Sequence, residues 1–264
     1  MSNIVLSEVA NGVARLTLND NATRNSLSEG MMQGLLDALQ ACSDDTSVGA
    51  VIIAAQGPVF SSGHNLKELT ARRADADAGL AYFEKIFGLC ATLMMAISHH
   101  RCAVIAEVDG LASAAGCQLV AACDLAYASE RARFCTPGVN IGLFCSTPMV
   151  PLSRNLSQKH ALEMLLLGDV HDAAFAAKAG LVNAVVAQNE LPGQVTLIAE
   201  KIASKSQAAI RFGKRLFHDQ RTLGLDAAYG MASAVMAQNM LDGAACEGLD
   251  AFITKRHPVW PALT

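Results

Sequence analysis

The chain has 264 residues, about half of them apolar by composition (52%), and a formal net charge of −4. That length suits one large domain, or one domain with an appendage, with enough apolar material for a sizeable core. No basic run stands out, which argues against a nucleic-acid partner, since phosphate binding needs clustered Lys and Arg.

In chain order, "IVLSEV" and "VARLTLN" are β-rich runs joined by an Asn11-Gly12 turn, the signature of a hairpin. Ser26 followed by Glu29 resembles a capping box and predicts a helix to about Cys42. The run "VGAVIIAAQG" is apolar without alternation, which predicts a strand buried on both faces. A long helix is expected from Asp75 to Ile97, then a second buried strand, "CAVIAEVDG", ending in Asp109-Gly110. "SAAGCQLVAAC" predicts a helix, "DLAYAS" a strand, His160 to Leu181 helix, and "LVNAVV" a short strand. Beyond Leu191 the pattern is helical to about Lys255.

The start of the chain lacks a basic segment followed by an apolar stretch, and the apolar runs are broken by Gly, Asp and Arg. Neither a targeting segment nor a membrane span is expected. Eight scattered cysteines, never spaced Cys-x-x-Cys, read as thiols of a reducing compartment, taken as cytoplasmic, and not as a disulfide or zinc scaffold. Gly213-Lys214-Arg215 lacks the spacing of a phosphate-binding loop, no Gly-x-Gly-x-x-Gly follows a strand, and no Gly-x-Ser-x-Gly elbow occurs.

Two places combine a buried strand, a glycine turn and a helix start: Phe60 to Lys67 and Gly110 to Gln118. A helix start presents unpaired N–H groups and the positive end of a dipole, and small side chains let a ligand approach them. Two such N–H groups converging on one oxygen would form an oxyanion hole. Each motif alone has a plainer reading: close helix packing for "SAAG", a helix cap for "SSGHN".

Together, "VFSSGHNLKEL" and "VDGLASAAGCQLVAACDLAYAS" resemble the paired motifs of the enoyl-CoA hydratase/isomerase (crotonase) superfamily. "RNSLS" matches its early Asn-Ala-Leu turn and "AAKAGLVNAVV" its late Gly-Leu-Val segment, while "TPGVNIGLFCSTP" is most similar to the enoyl-CoA hydratase domain-containing subgroup. The resemblance implies an α/β fold: a crotonase spiral of β-β-α units over residues 1–195 that binds acyl-CoA, then a helical oligomerisation region over 196–264 forming a homotrimer or hexamer. It implies a coenzyme A thioester as substrate, no cofactor and no metal.

By the same resemblance the oxyanion N–H groups belong to Ser62 and Ala115, with Gly63, His64 and Asn65 in the acyl-CoA loop and Arg24 as a partner for CoA phosphates. A solvated loop charge is the plainer reading of Arg24. The two positions where hydratases carry glutamates hold Gln118 and Gly138. Glutamine orients water but exchanges no proton at neutral pH, and glycine offers no side chain. A positioned acid or base contributes roughly 10²–10⁴ in rate, so the standard hydratase route is in doubt. Ser146 stands where some relatives place an aspartate. The expected function is therefore an acyl-CoA enzyme stabilising a thioester enolate; the alternative is a non-catalytic acyl-CoA-binding protein. His64 or Cys145 could act on a proton instead, although the plainer readings are a rim histidine and an apolar filler. Asn140, Glu84, Cys117, His99 and His100 have plainer roles as turn, surface, core and helix-end residues.

Overall fold

The computed structural model describes residues 4–261. The hairpin strands β1 (Val5–Ala10) and β2 (Val13–Leu18) pair antiparallel, Val5 opposite Leu18. They are followed by α1 (Glu29–Asp44), β3 (Ala50–Ala55), β4 (Val59–Ser61), α2 (Leu66–Ala71) and α3 (Leu80–Ser98). Next come β5 (Ala103–Val108), β6 (Leu111–Ser113), α4 (Ala115–Ala122), β7 (Leu125–Ser129) and β8 (Arg133–Cys135). The chain continues through α5 (Ser146–Asn155), α6 (Gln158–Leu167), β9 (His171–Asp172), α7 (Ala173–Ala179) and β10 (Ala184–Val186). It ends in α8 (Leu191–Ala203), α9 (Gln207–Gln220), α10 (Leu225–Met240) and α11 (Gly243–Ile253).

The architecture is a spiral. One sheet has the order β1-β2-β3-β5-β7-β10, the other β4-β6-β8-β9. Each turn lays one long strand in the first sheet and the next short strand in the second, then adds helix. β2 to β3, β3 to β5 and β5 to β7 are parallel, with Val13 beside Ala50 and Ala50 beside Ala103. The unbroken apolarity of β3 and β5 has its cause here. Val51, Ile53, Val104 and Ala106 face the main core with α1 and α3, while Ala50, Ile52 and Ile105 meet Leu191, Val195 and Ala199 of α8. Helix α8 runs through residue 195 and seals the large sheet. Beyond it, Lys214 of α9 reaches back to Asp124 at 2.6 Å and to the carbonyls of Ile97 and Cys102.

Several local expectations change. The cap of α1 is Ser28, whose hydroxyl accepts from Met31 N–H at 3.1 Å; the Ser26 hydroxyl is buried without a partner. The helix expected from Asp75 starts at Leu80, because Asp77 accepts the N–H groups of Gly79 and Ala81 and holds the chain in a turn. Ser113 belongs to a strand and α4 starts two residues later. The helical span from His160 breaks into α6 and α7 around β9, which pairs with β8. Helix α3 is, by length and composition, apolar enough to cross a membrane, contrary to the expectation that no segment approaches such a span. It buries Ile86, Cys90, Leu93, Met94 and Ile97 within the main core.

Candidate active site

Both glycine turns lie at the ends of short strands in the small sheet, where β4 and β6 are neighbours. Their proximity is therefore set by strand pairing. After β4 the chain turns at Gly63, whose φ of +85° lies in the left-handed region. A Cβ there would stand 2.9 Å from Ser113 O, 3.1 Å from Ala114 Cβ and 3.2 Å from Ala115 N. A Cβ on Gly116 would in turn overlap the carbonyl oxygen of Ser61. The two turns interlock, and only glycine permits the approach at both contacts.

The second turn is strained. Ala114 adopts φ 49° and ψ −113°, a conformation costing a non-glycine residue about 1–3 kcal/mol. It is held there by its own N–H, which donates to Cys135 O at 2.9 Å. The effect is to start α4 at Ala115, buried and directly opposite Gly63. As the first helical residue, Ala115 has an N–H with no partner inside its helix.

The first donor needs a correction. The Ser62 N–H donates to Arg24 O at 3.1 Å and its hydroxyl to Thr23 O at 3.2 Å. An N–H spent on a carbonyl of the early loop does not serve an oxyanion. Two residues on, the His64 backbone N–H meets no acceptor among the described residues. Gly63 O accepts instead from Leu27 N–H at 2.8 Å, which pins the turn to the segment before α1. The pair of N–H groups that flank the Gly63 contact therefore belongs to His64 and Ala115.

Asn65 is committed to capping α2: its side-chain oxygen accepts from Lys67 and Glu68 N–H, and its amide donates to Glu68 at 3.3 Å. Arg24 has a left-handed φ of 59°, an exposed side chain, and no ion pair among the described residues.

The positions of Gln118 and Gly138 are built differently. Gln118 is buried on α4, and its carbonyl oxygen accepts from the Cys90 thiol of α3 at 3.7 Å. Burial pushes that thiol up to about 12, so it stays protonated and donating. Gly138 lies in the 3-10 turn Pro137–Ile141. A Cβ there would stand 2.9 Å from Cys145 Sγ and 2.8 Å from Leu143 O. The thiol of Cys145 occupies the space a side chain at 138 would use. Burial raises the pKa of Cys145, opposed by a backbone hydrogen bond from Gly138, so it is no ready nucleophile. Neither Cys90 nor Cys145 announces these contacts in the sequence, because the pairings depend on how α3 and α5 dock.

The remaining candidates take the plainer roles. Asn140 donates to Gly168 O at 3.3 Å; Ser146 opens α5 with its exposed hydroxyl on Phe144 O; Cys117 donates to Ala112 O at 3.0 Å. Glu84 is exposed, and His100 is buried between Leu39 O and Cys102. His64 is different. Its Nδ1 lies 3.3 Å from Leu27 O, its Nε2 is buried and unpartnered, and its ring meets Phe87 edge-on with centroids 5.3 Å apart. Burial lowers its pKa, partly opposed by the Leu27 hydrogen bond. The residue as a whole is half-buried, and it is the Nε2 edge that is withdrawn from solvent.

The comparisons with known proteins give the family and the fold. The model of the family described as enoyl-CoA hydratase/isomerase matches residues 8–262. The chain is 47% identical to a Xenopus laevis protein named enoyl-CoA hydratase domain-containing protein 3, mitochondrial, over 94% of this chain and 83% of that one. The crystal structure of human enoyl coenzyme A hydratase domain-containing protein 3 superposes with a TM-score of 0.92 at 43% identity, covering 97% of this chain and 100% of that one. A Mycobacterium smegmatis enoyl-CoA hydratase structure superposes with a TM-score of 0.92 at 45% identity, covering 97% and 98%. The mitochondrial name of the Xenopus relative overturns the cytoplasmic placement inferred from the cysteines. Free thiols indicate a reducing environment, and the cytosol is not the only compartment that keeps one.

Proposed function

This chain belongs to the enoyl-CoA hydratase/isomerase family, and we propose that it holds an acyl-CoA thioester with the carbonyl oxygen between the N–H groups of His64 and Ala115. One observation carries the reading: the interlock that brings Ala115 N to within 3.2 Å of where a Gly63 side chain would begin. Two preorganised donors on one oxygen favour the enolate over the ground-state thioester, because the negative charge develops on that oxygen. Losing one such donor costs about 10²–10³ in rate. The thioester is the substrate and no cofactor enters. The exposed guanidinium of Arg24, whose carbonyl anchors the same turn, suits the CoA phosphates.

The reaction class follows from what positions 118 and 138 lack. Hydration by paired carboxylates needs acids at 118 and 138, and this chain has an amide and no side chain there. Enolate chemistry that moves a proton along the acyl chain, such as a double-bond shift, fits better than water addition. A second reading, an acyl-CoA binder without turnover, is favoured by the Gln118–Cys90 contact and by Cys145 standing over Gly138.

Isothermal titration with saturated and unsaturated acyl-CoA esters, with spectroscopic assay of the same mixtures, separates the two. Binding with turnover supports the enzyme, binding without product supports the binder, and no binding across chain lengths removes both. The reading includes a mitochondrial setting, as in the relatives' name. It also includes a homotrimer or hexamer through the C-terminal helices, where Phe217, Leu225, Tyr229, Met236 and Phe252 are exposed. Light scattering on the purified chain tests the assembly.

A further inference from the structure

Helix α9 carries a glycine at its middle. A Cβ built on Gly213 meets no atom within 4 Å. Glycine in a helix interior costs stability relative to alanine, and no close packing within the chain calls for one here. What it leaves open is a cavity of about 510 Å³ between the end of α4, the end of α5 and one face of α9. Ala121 and Ala122 of α4, Pro151 of α5, and Ile210 and Phe217 of α9 give it apolar walls. The volume is of the size that holds small organic ligands. This cavity is separate from the cradle. Helix α4 begins at the cradle with Ala115 and reaches the cavity at the end of its 8 residues, roughly 12 Å of helix away.

The charges around the cavity do not balance. Asp124 is already neutralised: its Oδ2 accepts from Lys214 Nζ at 2.6 Å and from the Val104 N–H at 2.7 Å, and His218 Nε2 stands 3.9 Å from its other oxygen. Lys214 spends its remaining donors on the carbonyls of Ile97 and Cys102. Arg154 of α5 and Arg221 at the C-cap of α9 also line the cavity. Neither has an ion pair among the described residues. Arg221 donates to Arg154 O at 2.6 Å, and its guanidinium lies 5.5 Å from the Phe217 ring centroid. Arg154 donates to Val150 O at 3.0 Å. A guanidinium has five N–H donors, so each keeps several to offer. The contact of Arg221 with the Arg154 backbone brings the two residues together beside apolar walls.

We propose that this cavity is a second binding site, independent of the acyl-CoA reading, for a monocarboxylate with a straight alkyl chain. The carboxylate lies between the Arg154 and Arg221 guanidiniums, whose forked donors match two oxygens. The chain lies on Ile210, Phe217 and the alanines of α4, and its burial supplies the hydrophobic share of the affinity. Phosphate satisfies the guanidiniums but leaves those walls uncovered. A carboxylate held this way joins α5 to the end of α9. It fastens the C-terminal helices to the core from the outside, as Lys214 does from within. A ligand that binds only the docked arrangement stabilises it by mass action.

The probe is hexanoate, titrated into the full chain by calorimetry. Two controls accompany it: hexanamide, which has the chain without the charge, and inorganic phosphate, which has the charge without the chain. Hexanoate should bind saturably, one per chain, with Kd below about 1 mM, and should raise Tm. Hexanamide and phosphate should each bind at least about tenfold more weakly. Saturating butyryl-CoA should not displace hexanoate. Arg154→Gln with Arg221→Gln should weaken hexanoate at least about tenfold and leave hexanamide unchanged. Gly213→Leu puts a side chain into the open space, so the ligand-free chain should keep or raise its Tm while hexanoate binding is lost. Four results would each overturn the proposal: no saturable hexanoate binding, equal affinity for either control, displacement by butyryl-CoA, or undiminished binding in the folded variants. If the double arginine variant does not fold, Gly213→Leu and the three-ligand comparison decide.

Discussion

The cradle formed by the two glycine turns and the positions Gln118, Gly138 and Cys145 rest on different chemistry. The cradle uses main-chain N–H groups. Every residue except proline supplies one, so a histidine and an alanine can serve as the pair, provided the backbone keeps its path. The other positions would have to use side chains, and two substitutions leave them with an amide tied to Cys90 and a glycine covered by a thiol. Backbone chemistry tolerates sequence change and fails by displacement; side-chain chemistry fails at the first substitution.

Displacing the backbone should therefore do the most damage. Gly116→Val drives a branched side chain into Ser61 O, and the turns must part. The expected cost is about 3 kcal/mol or more in denaturant unfolding, with acyl-CoA affinity lost beyond detection by calorimetry. Unchanged affinity in a folded Gly116→Val protein would break the contrast. Gly63→Ala combines the positive φ with the contact to Ser113 O and should cost about 1–3 kcal/mol.

Rebuilding positions 118 and 138 should be the next largest effect. Gln118→Glu with Gly138→Glu restores the carboxylates in sequence only, because the new side chain at 138 meets Cys145 Sγ and Leu143 O. The double variant should lose about 1–3 kcal/mol and gain no hydratase activity. Adding Cys145→Gly should recover part of that stability, and only then should hydration of a short enoyl-CoA be measurable. Hydration by the double variant alone would show that these positions can rearrange.

Smaller effects sharpen the comparison. Ala114→Gly removes the strain at φ 49° while keeping the N–H of Ala115 in place. It should stabilise the chain by about 1 kcal/mol, or raise Tm by about 2–4 °C, with binding unaltered. Last comes a shallow pH dependence. Burial lowers the pKa of both His64 and His100 from 6.5. Just below pH 6.5 the unfolded chain takes up protons that the folded one refuses, so stability falls as pH drops from there towards the folded-state values. His64→Gln should reduce this slope in equilibrium unfolding without abolishing it, because His100 remains.

Much of the frame was legible in the residues. The hairpin at Asn11-Gly12 and the apolar runs of β3 and β5 follow from turn chemistry and from burial on two faces. The pair of glycine turns marked the cradle because close approach leaves no other residue to use. Where the reading slipped, the cause was non-local. Ser62 and His64 stand either side of one glycine, and nothing in their order says which N–H is spent; the carbonyl of Arg24 decides that. Ser26 and Ser28 both stand before α1 and both are buried, but only the Ser28 hydroxyl lies where the Met31 N–H can reach it. The strands β4, β6 and β8 are three residues each, too short for a period to register, and exist because they pair with one another.

The sequence by itself determined the spiral of strands and helices, the family, and the absence of carboxylates at 118 and 138. These are properties of residue type and spacing. Only the tertiary structure decided that the His64 and Ala115 amides are the open pair, that Cys145 fills the place of a side chain at 138, and that the His64 lone pair is buried and unused. Each of these depends on the direction of an atom and on a neighbour distant in the chain, and direction is fixed by packing.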